Sequence, residues 1–404
     1  MKYAPLVERI AGQGARAWDI HYVAQHRQER GEDVIVLSVG DPDFDTPAPI
    51  VEAAVDSLRR GRHHYTPSVG IPELRKAVAR YHQRITGQPA NADNVAILQG
   101  AQNALMSVAM CVLGQGDEVI VPEPMYVTYK GVIGASGAKL INVALRPEDD
   151  FQLDPGRIEA ALGPNSRALL INTPHNPTGA VLHGNVVEEV AAICRRHDLW
   201  MISDEVYASI TYDRQHISPC SFPGMEERSA TISSLSKSHA MAGWRLGWVV
   251  GPRELIHHID TLSLSMLYGS APFIQDAALF ALSQEPGELE EMKIAYRARR
   301  DRVCADLEGI EGVSFCRPEG GMFVMADIRS MGITSQQFME SLYASENVSV
   351  LAGEAFGPSG AGHVRISLAA SQSELTEGCK RIARFVASLK PADGPKKKQT
   401  ALRR

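Results

Sequence analysis

Lys237 stands in the run SLSKSHAMAGWRLGW, between the hydroxyl residues Ser234 and Ser236 and, eight positions on, Arg245. A lysine amine in a shielded, cationic setting gives up its proton and forms an imine with an aldehyde. The two serines and the forked donors of Arg245 suit a phosphate. Taken alone, Lys237 reads better as a solvated lysine beside a polar turn, but other residues at comparable places alter that balance. Asp204 follows WMIS, where a carboxylate can pair with a protonated pyridine nitrogen and make the ring a better electron sink. Tyr207, three residues further, and Asn176, in NTPHNPTG, can both reach a ring oxygen. Each of these singly is more often a cap or turn residue; their joint order favours chemistry.

Gly100, Ala101 and Gln102 link an apolar run to a helical pattern, so backbone N–H groups at the helix start would face an anion. Tyr126, in PEPMYVTY, can lay its ring on a flat cofactor, although half-buried packing explains a lone tyrosine as well. Arg365, in GHVRISL, alternates with Val364 and Ile366, which would point the other way on a strand. Such an arginine can grip an α-carboxylate with two parallel hydrogen bonds; a surface salt bridge is its plainer alternative.

These residues need a frame that collects strand ends. Apolar β-rich runs alternate with helical patterns in the rhythm of βαβ units. The spacing predicts strands at 95–99, 118–121, 168–172, 200–203, 230–233 and 246–250, and helices at 101–112 and 186–197. A mostly parallel, helix-covered sheet follows, with ligands outside the carboxyl ends of its strands. From about Val303 the texture changes to shorter elements at 321–327, 335–345, 363–368 and 374–389. The expected division is a large domain at 46–302 and a smaller α+β domain formed by 1–45 with 303–389. The end of the chain, 390–404, is a basic, Pro/Gly-broken tail expected to be disordered.

The 404 residues, 44% hydrophobic and 22% charged, fit an ordinary soluble α/β protein of two domains. A net charge of -6 argues against a nucleic-acid partner. No apolar run nears the ~20 residues of a membrane span. The six cysteines are scattered without a C-x-x-C pair, and no positive-then-apolar leader opens the chain, so a cytoplasmic setting without structural disulfides or metal is expected.

The runs SVGDPDFDTP, HYTPSVGIPELR, GAQNAL, PEPMYVTY, NTPHNPTG, SDEVY, SLSKSHAMAGWRLGW and HVRIS, in this order, resemble the class I/II aminotransferases of fold type I over essentially the whole chain to about residue 390. The resemblance implies a pyridoxal 5'-phosphate (PLP) enzyme that moves amino groups between amino acids and 2-oxo acids by a ping-pong mechanism. It implies a large domain with a mostly parallel seven-stranded sheet covered by helices. It further implies a homodimer with shared active sites. Lys237 would hold the cofactor as an imine, Asp204 pair with the ring nitrogen, Asn176 and Tyr207 contact the ring oxygen, and Tyr126 stack on the ring. Ala101, Gln102, Ser234, Ser236 and Arg245 would hold the phosphate, joined by Tyr65 from the neighbouring subunit. Arg365 would bind the substrate carboxylate, with Asn176 and the backbone of Gly40. Cis bonds at Glu123–Pro124 and Asn176–Pro177 are also implied.

Further runs, among them RIAGQGARAWDIHY, HDLWMISDEVY, LYGSAPFIQDAA and VSVLAGEAFGPS, extend the likeness to the arginine:pyruvate transaminases of bacterial arginine catabolism. L-Arginine as donor and pyruvate as acceptor are then expected. Gln102 stands where an acid-specific branch carries a lysine. Ala17, Trp18 and Asp19 fall where the family's N-terminal segment folds over the substrate, so Asp19 can pair with a guanidinium while Trp18 offers it a flat face; a helix cap or surface role suits Asp19 as well. Three alternatives stay open at this point. One is an aspartate or broad-specificity aminotransferase using 2-oxoglutarate, another a carbon-sulfur lyase on the same fold. The third is a PLP-sensing regulator, although the stretch before Gly40 has no room for the helix-turn-helix such proteins carry.

Overall fold

The computed structural model describes residues 2–11, 18–284 and 286–389. Ala17 and the basic tail at 390–404 lie outside them. The first short strand, β1 (Ile35–Val36), belongs to a C-terminal unit. The next seven form one sheet: β2 (Val95–Leu98), β3 (Glu118–Glu123), β4 (Lys139–Ala144), β5 (Ser166–Asn172), β6 (Trp200–Asp204), β7 (Ser229–Ser234) and β8 (Gly247–Val250). Their spatial order is β2-β8-β7-β6-β5-β3-β4. This is the mostly parallel, helix-covered seven-stranded sheet that the resemblance implies.

Alternate side chains of a strand point to opposite faces. In β5, Ala168 and Leu170 enter one core while Leu169 and Ile171 enter another on the far face. Both faces are therefore covered by helices, which is why the internal strands read as continuous apolar runs. The edge strand β4, KLINVA, lacks that signature. It pairs with β3 alone and most of its residues are partly or well exposed, so no strand was expected there. Strand β8 runs antiparallel to β2 and to β7, while the other pairings are parallel. Hence β2 points the same way as β7. The carboxyl ends of β2, β3, β5, β6 and β7 gather on one edge, where open α/β sheets bind ligands.

The second unit is built mainly on an antiparallel sheet. Strands β9 (Ser314–Phe315), β10 (Phe323–Asp327), β12 (Leu351–Ala352) and β13 (His363–Ser367) run in the order β12-β13-β10-β9, and β11 (Val348–Ser349) pairs in parallel with β1. Its core joins Leu37, Phe338, Leu342, Val364, Ile366 and Phe385. The texture change read at Val303 falls inside the helix Glu288–Glu308, whose Met292, Tyr296, Val303 and Leu307 are buried in that same core. No helix among the described residues is long and apolar enough to cross a membrane.

Candidate active site

Strand β2 turns through Gly100, at φ +83°, into the helix Gly100–Val112. Glycine adopts that conformation without strain, and a side chain there would strike the Arg245 guanidinium. The first N–H groups of the helix have no intrahelical partner. Ala101, Gln102, Ser234, Ser236 and Arg245 all line the cavity at this end of the sheet. Ser234 ends β7 and caps the short helix Leu235–Ser238, accepting from the Ser236 N–H at 3.3 Å. Hydroxyls, free amide N–H groups and a guanidinium thus converge on one space suited to an anion.

Lys237 sits in that short helix, half-buried, with Nζ donating to the Gly40 carbonyl. Burial, reinforced by the Arg365 and Arg245 charges and opposed by Asp41, lowers its pKa to about 8. Gly40 itself admits no side chain, because a Cβ would run into the Phe323 ring. Asp204 closes β6. Burial pushes its carboxyl up to about 6, against the pull of a hydrogen bond donated by the Tyr129 hydroxyl at 2.7 Å and one from the Val206 N–H. Asn172, at the end of β5, donates through Nδ2 to the Asp204 carbonyl at 2.9 Å and accepts the Asn176 N–H at 2.7 Å. Tyr126 meets Tyr129 edge to face at 5.7 Å. Burial raises the hydroxyl pKa of Tyr126 and of Tyr207, so both stay protonated.

Arg365 reaches this site from β13. Its alternation holds: Val364 and Ile366 enter the core, and Arg365 turns to the sheet edge. Nη1 donates to Asn176 Oδ1 at 3.0 Å and Nη2 to the Ser38 carbonyl at 2.6 Å. The guanidinium carbon lies 4.1 Å from the Phe323 ring centre and 4.8 Å from that of Phe356. Nε is buried without a partner, and burial lowers the group to about 10. A buried guanidinium that keeps donors free can still receive an anionic partner.

Of the residues expected from sequence, Ala101, Gln102, Tyr126, Asn176, Asp204, Tyr207, Ser234, Ser236, Lys237 and Arg245 line this one cavity. Arg365 and Gly40 join it through their hydrogen bonds to Asn176 and Lys237. Three residues stay outside. Tyr65 is 91% exposed, its ring tilted against Tyr268. Trp18 precedes the helix Asp19–Glu29 and packs near His21 and Tyr22. Asp19 is exposed in that helix's first turn. The expected cis bonds at Glu123–Pro124 and Asn176–Pro177 are present, with a third at Thr173–Pro174.

A family model described as aminotransferase class I and II matches residues 32–382. The chain belongs to the class I and II aminotransferases. The arginine–pyruvate transaminase of Pseudomonas aeruginosa is 53% identical to it, over 96% of this chain and 99% of that protein. An aspartate aminotransferase of Pyrococcus horikoshii is 38% identical, over 88% and 91%. Among solved structures, aspartate aminotransferase from Thermus thermophilus with maleate superposes with a TM-score of 0.91, at 32% identity, covering 95% of this chain and 100% of that one.

Sequence reasoning passed over three residues at this aminotransferase's site: Tyr129, Asn172 and Ser38. Tyr129 lies three positions after Tyr126, a helical spacing that could have drawn both to one side. Asn172 ends a strand, the class of position already singled out. Ser38 acts through its backbone carbonyl, and its side chain carries no signal of that.

Proposed function

We propose that this aminotransferase works with PLP held through Lys237 and moves the α-amino group of L-arginine to pyruvate. One observation carries the cofactor assignment: a lysine brought to about 8, a buried carboxylate and an anion cradle share a single cavity. The fit is chemical as well as spatial. Ala101, Gln102, Ser234, Ser236 and Arg245 would hold the phosphate, Asp204 the ring nitrogen, Asn176 and Tyr207 the ring oxygen, and Tyr126 the ring face.

When bound, PLP supplies an aldehyde that takes up the amino group and a ring that accepts the electron pair left at the α-carbon. The protein's own groups do the rest. Arg365 grips the α-carboxylate through the N–H donors it leaves unused, which keeps that carboxylate from turning into the reacting position. Asn176 Oδ1 is engaged by Arg365, so its Nδ2 is turned toward other acceptors. Lys237 Nζ, neutral at mildly alkaline pH, is placed to take the α-proton. The charged Asp204 carboxylate keeps a proton on the ring nitrogen. Tyr129 supports that charge. Removing its hydroxyl in Tyr129→Phe takes away a bond that favours ionised Asp204, so the carboxyl stays protonated to higher pH. With hydrogen bonds to charged groups worth about 1.5–3 kcal/mol, the acid limb of kcat/KM is expected to rise by roughly one to two pH units. A pH profile with its acid limb in the wild-type place would show that Tyr129 does not control Asp204.

The donor and acceptor rest on the relative that is 53% identical and on the lining of the cavity. Among the described residues, Lys237 and Arg245 are the cations that line it, and Arg365 joins them through Asn176. Gln102 offers no charge and accepts a hydrogen bond from Thr128 at 2.9 Å. Among the described residues of one subunit, no second cationic grip for a dicarboxylate stands beside Gln102. Asp19 remains the proposed partner of the substrate guanidinium, with Trp18 as its flat neighbour, because its exposed carboxylate has no ion-pair partner among the described residues. Asp19→Ala is expected to reduce the arginine-over-alanine ratio of kcat/KM about fivefold, the scale of an exposed ion pair. The deciding experiment is a donor screen with pyruvate, setting arginine and lysine beside aspartate and phenylalanine. Arginine should lead, and brisk aspartate turnover with none from arginine would overturn the specificity.

The same reading makes the enzyme a cytoplasmic homodimer in which Tyr65 serves the phosphate of the neighbouring subunit. The exposure of Tyr65, Leu267 and Tyr268 supports a covering partner, and the six free cysteines suit a reducing compartment.

A further inference from the structure

Glu123 closes β3 with only 2% of its surface exposed, and both its carboxylate oxygens are held by neutral donors. Oε2 accepts from Asn142 Nδ2 on β4 at 2.5 Å. Oε1 accepts from the Ser359 N–H at 2.9 Å and from the Ser359 hydroxyl at 2.7 Å. A buried carboxylate without these bonds would be costly, so each is tightly specified. Asn142 belongs to the large sheet. Ser359 belongs to the segment between β12 and β13, which carries Arg365. Two more contacts strap that segment down: the Met125 N–H donates to the Phe356 carbonyl at 2.8 Å, and Gly357, at φ +115°, lies so close to the Glu123 carboxylate that no side chain would fit. Phe356 is buried and backs the Arg365 guanidinium at 4.8 Å. From Glu123, one path therefore leads through Ser359 and Phe356 to Arg365, and the other through Met125 to Tyr126.

We infer that Glu123 is a positioning residue that sets Arg365 against the rest of the site, by latching the Phe356–Ser359 segment to the end of β3. The inference rests on Arg365 being the carboxylate grip. Amino and oxo substrates share that grip, so loss of the latch affects both. Misplacement of a binding group by about 1 Å costs up to roughly 100-fold. Glu123→Ala is expected to raise KM for the amino donor and for the oxo acid together by about tenfold, with kcat changed less and the absorbance of the PLP-loaded enzyme unchanged. Glu123→Gln should restore KM, because its carbonyl still accepts from Ser359 and the Asn142 amide can turn to accept from the new NH2.

Ser359→Ala keeps the backbone bond and loses the hydroxyl, so it tests the same point without emptying a buried site. Its KM should rise about fivefold for both substrates. Steady-state kinetics in both substrates, with PLP titration of each variant, reads all of this. Unchanged KM in Ser359→Ala and in any Glu123→Ala that folds overturns the latch, as does a loss confined to kcat or to PLP binding. If Arg365→Lys also leaves KM alone, the carboxylate assignment has failed, and the latch falls with it.

Discussion

Lys237→Ala is expected to lower kcat/KM by at least about 10⁴-fold, the upper range for a positioned general base, while PLP still binds without a covalent link. No other group among the described residues that line the cavity can replace the amine. Burial holds Tyr126 and Tyr207 in their protonated forms, and Asp204 is engaged by Tyr129. An ordinary lysine near 10.5 would be almost wholly charged at neutral pH, whereas one at about 8 is about a tenth neutral there and largely neutral once the pH is mildly alkaline. Asp204, Arg245 and the serines stay in place, so cofactor affinity should fall less than turnover. Borohydride treatment followed by peptide mapping should attach PLP to Lys237 in the wild type and to nothing in the variant. A variant keeping a tenth of wild-type activity would end the assignment.

Arg365→Lys comes second. The guanidinium makes two bonds in different directions, to Asn176 and to Ser38, and keeps its other donors, Nε among them, for a ligand. A lysine ammonium is a point charge on a flexible stem and cannot reproduce that fork between two phenyl rings. Truncating one partner of a buried charge pair costs about 2–5 kcal/mol. KM for donor and acceptor should therefore rise by roughly 100-fold or more, with the PLP spectrum intact. Pyruvate KM at the wild-type value would show that the carboxylate is held elsewhere.

Much of the large sheet was legible because its signals are local. Apolar runs such as ALLIN of β5 and WMIS of β6 mark strands buried on both faces, and the functional residues follow them directly. β4 escaped because an edge strand needs no continuous apolar run. The antiparallel sense of β8 escaped as well, since a strand's residues do not state its direction. Trp18 and Asp19 differ from these. They stand at the start of the helix Asp19–Glu29 and do not line the cavity, so their part in holding the substrate is what the Asp19→Ala comparison tests, and the segment just before them lies outside the described residues.

The sequence by itself determined the strand and helix rhythm, the lysine, carboxylate and arginine that the chemistry needs, and the family to which they belong. Side-chain periodicity and turn chemistry are properties of neighbouring residues. Only the tertiary structure decided which distant groups meet. Tyr129 reaches Asp204 across 75 positions, Arg365 reaches Asn176 across 189, and Ser359 reaches Glu123 across 236. Those meetings depend on strand order, on direction and on how the second unit docks. They arise because parallel strands bring their carboxyl ends to a common edge and the second unit carries Arg365 and Ser359 to it, and no local pattern contains that information.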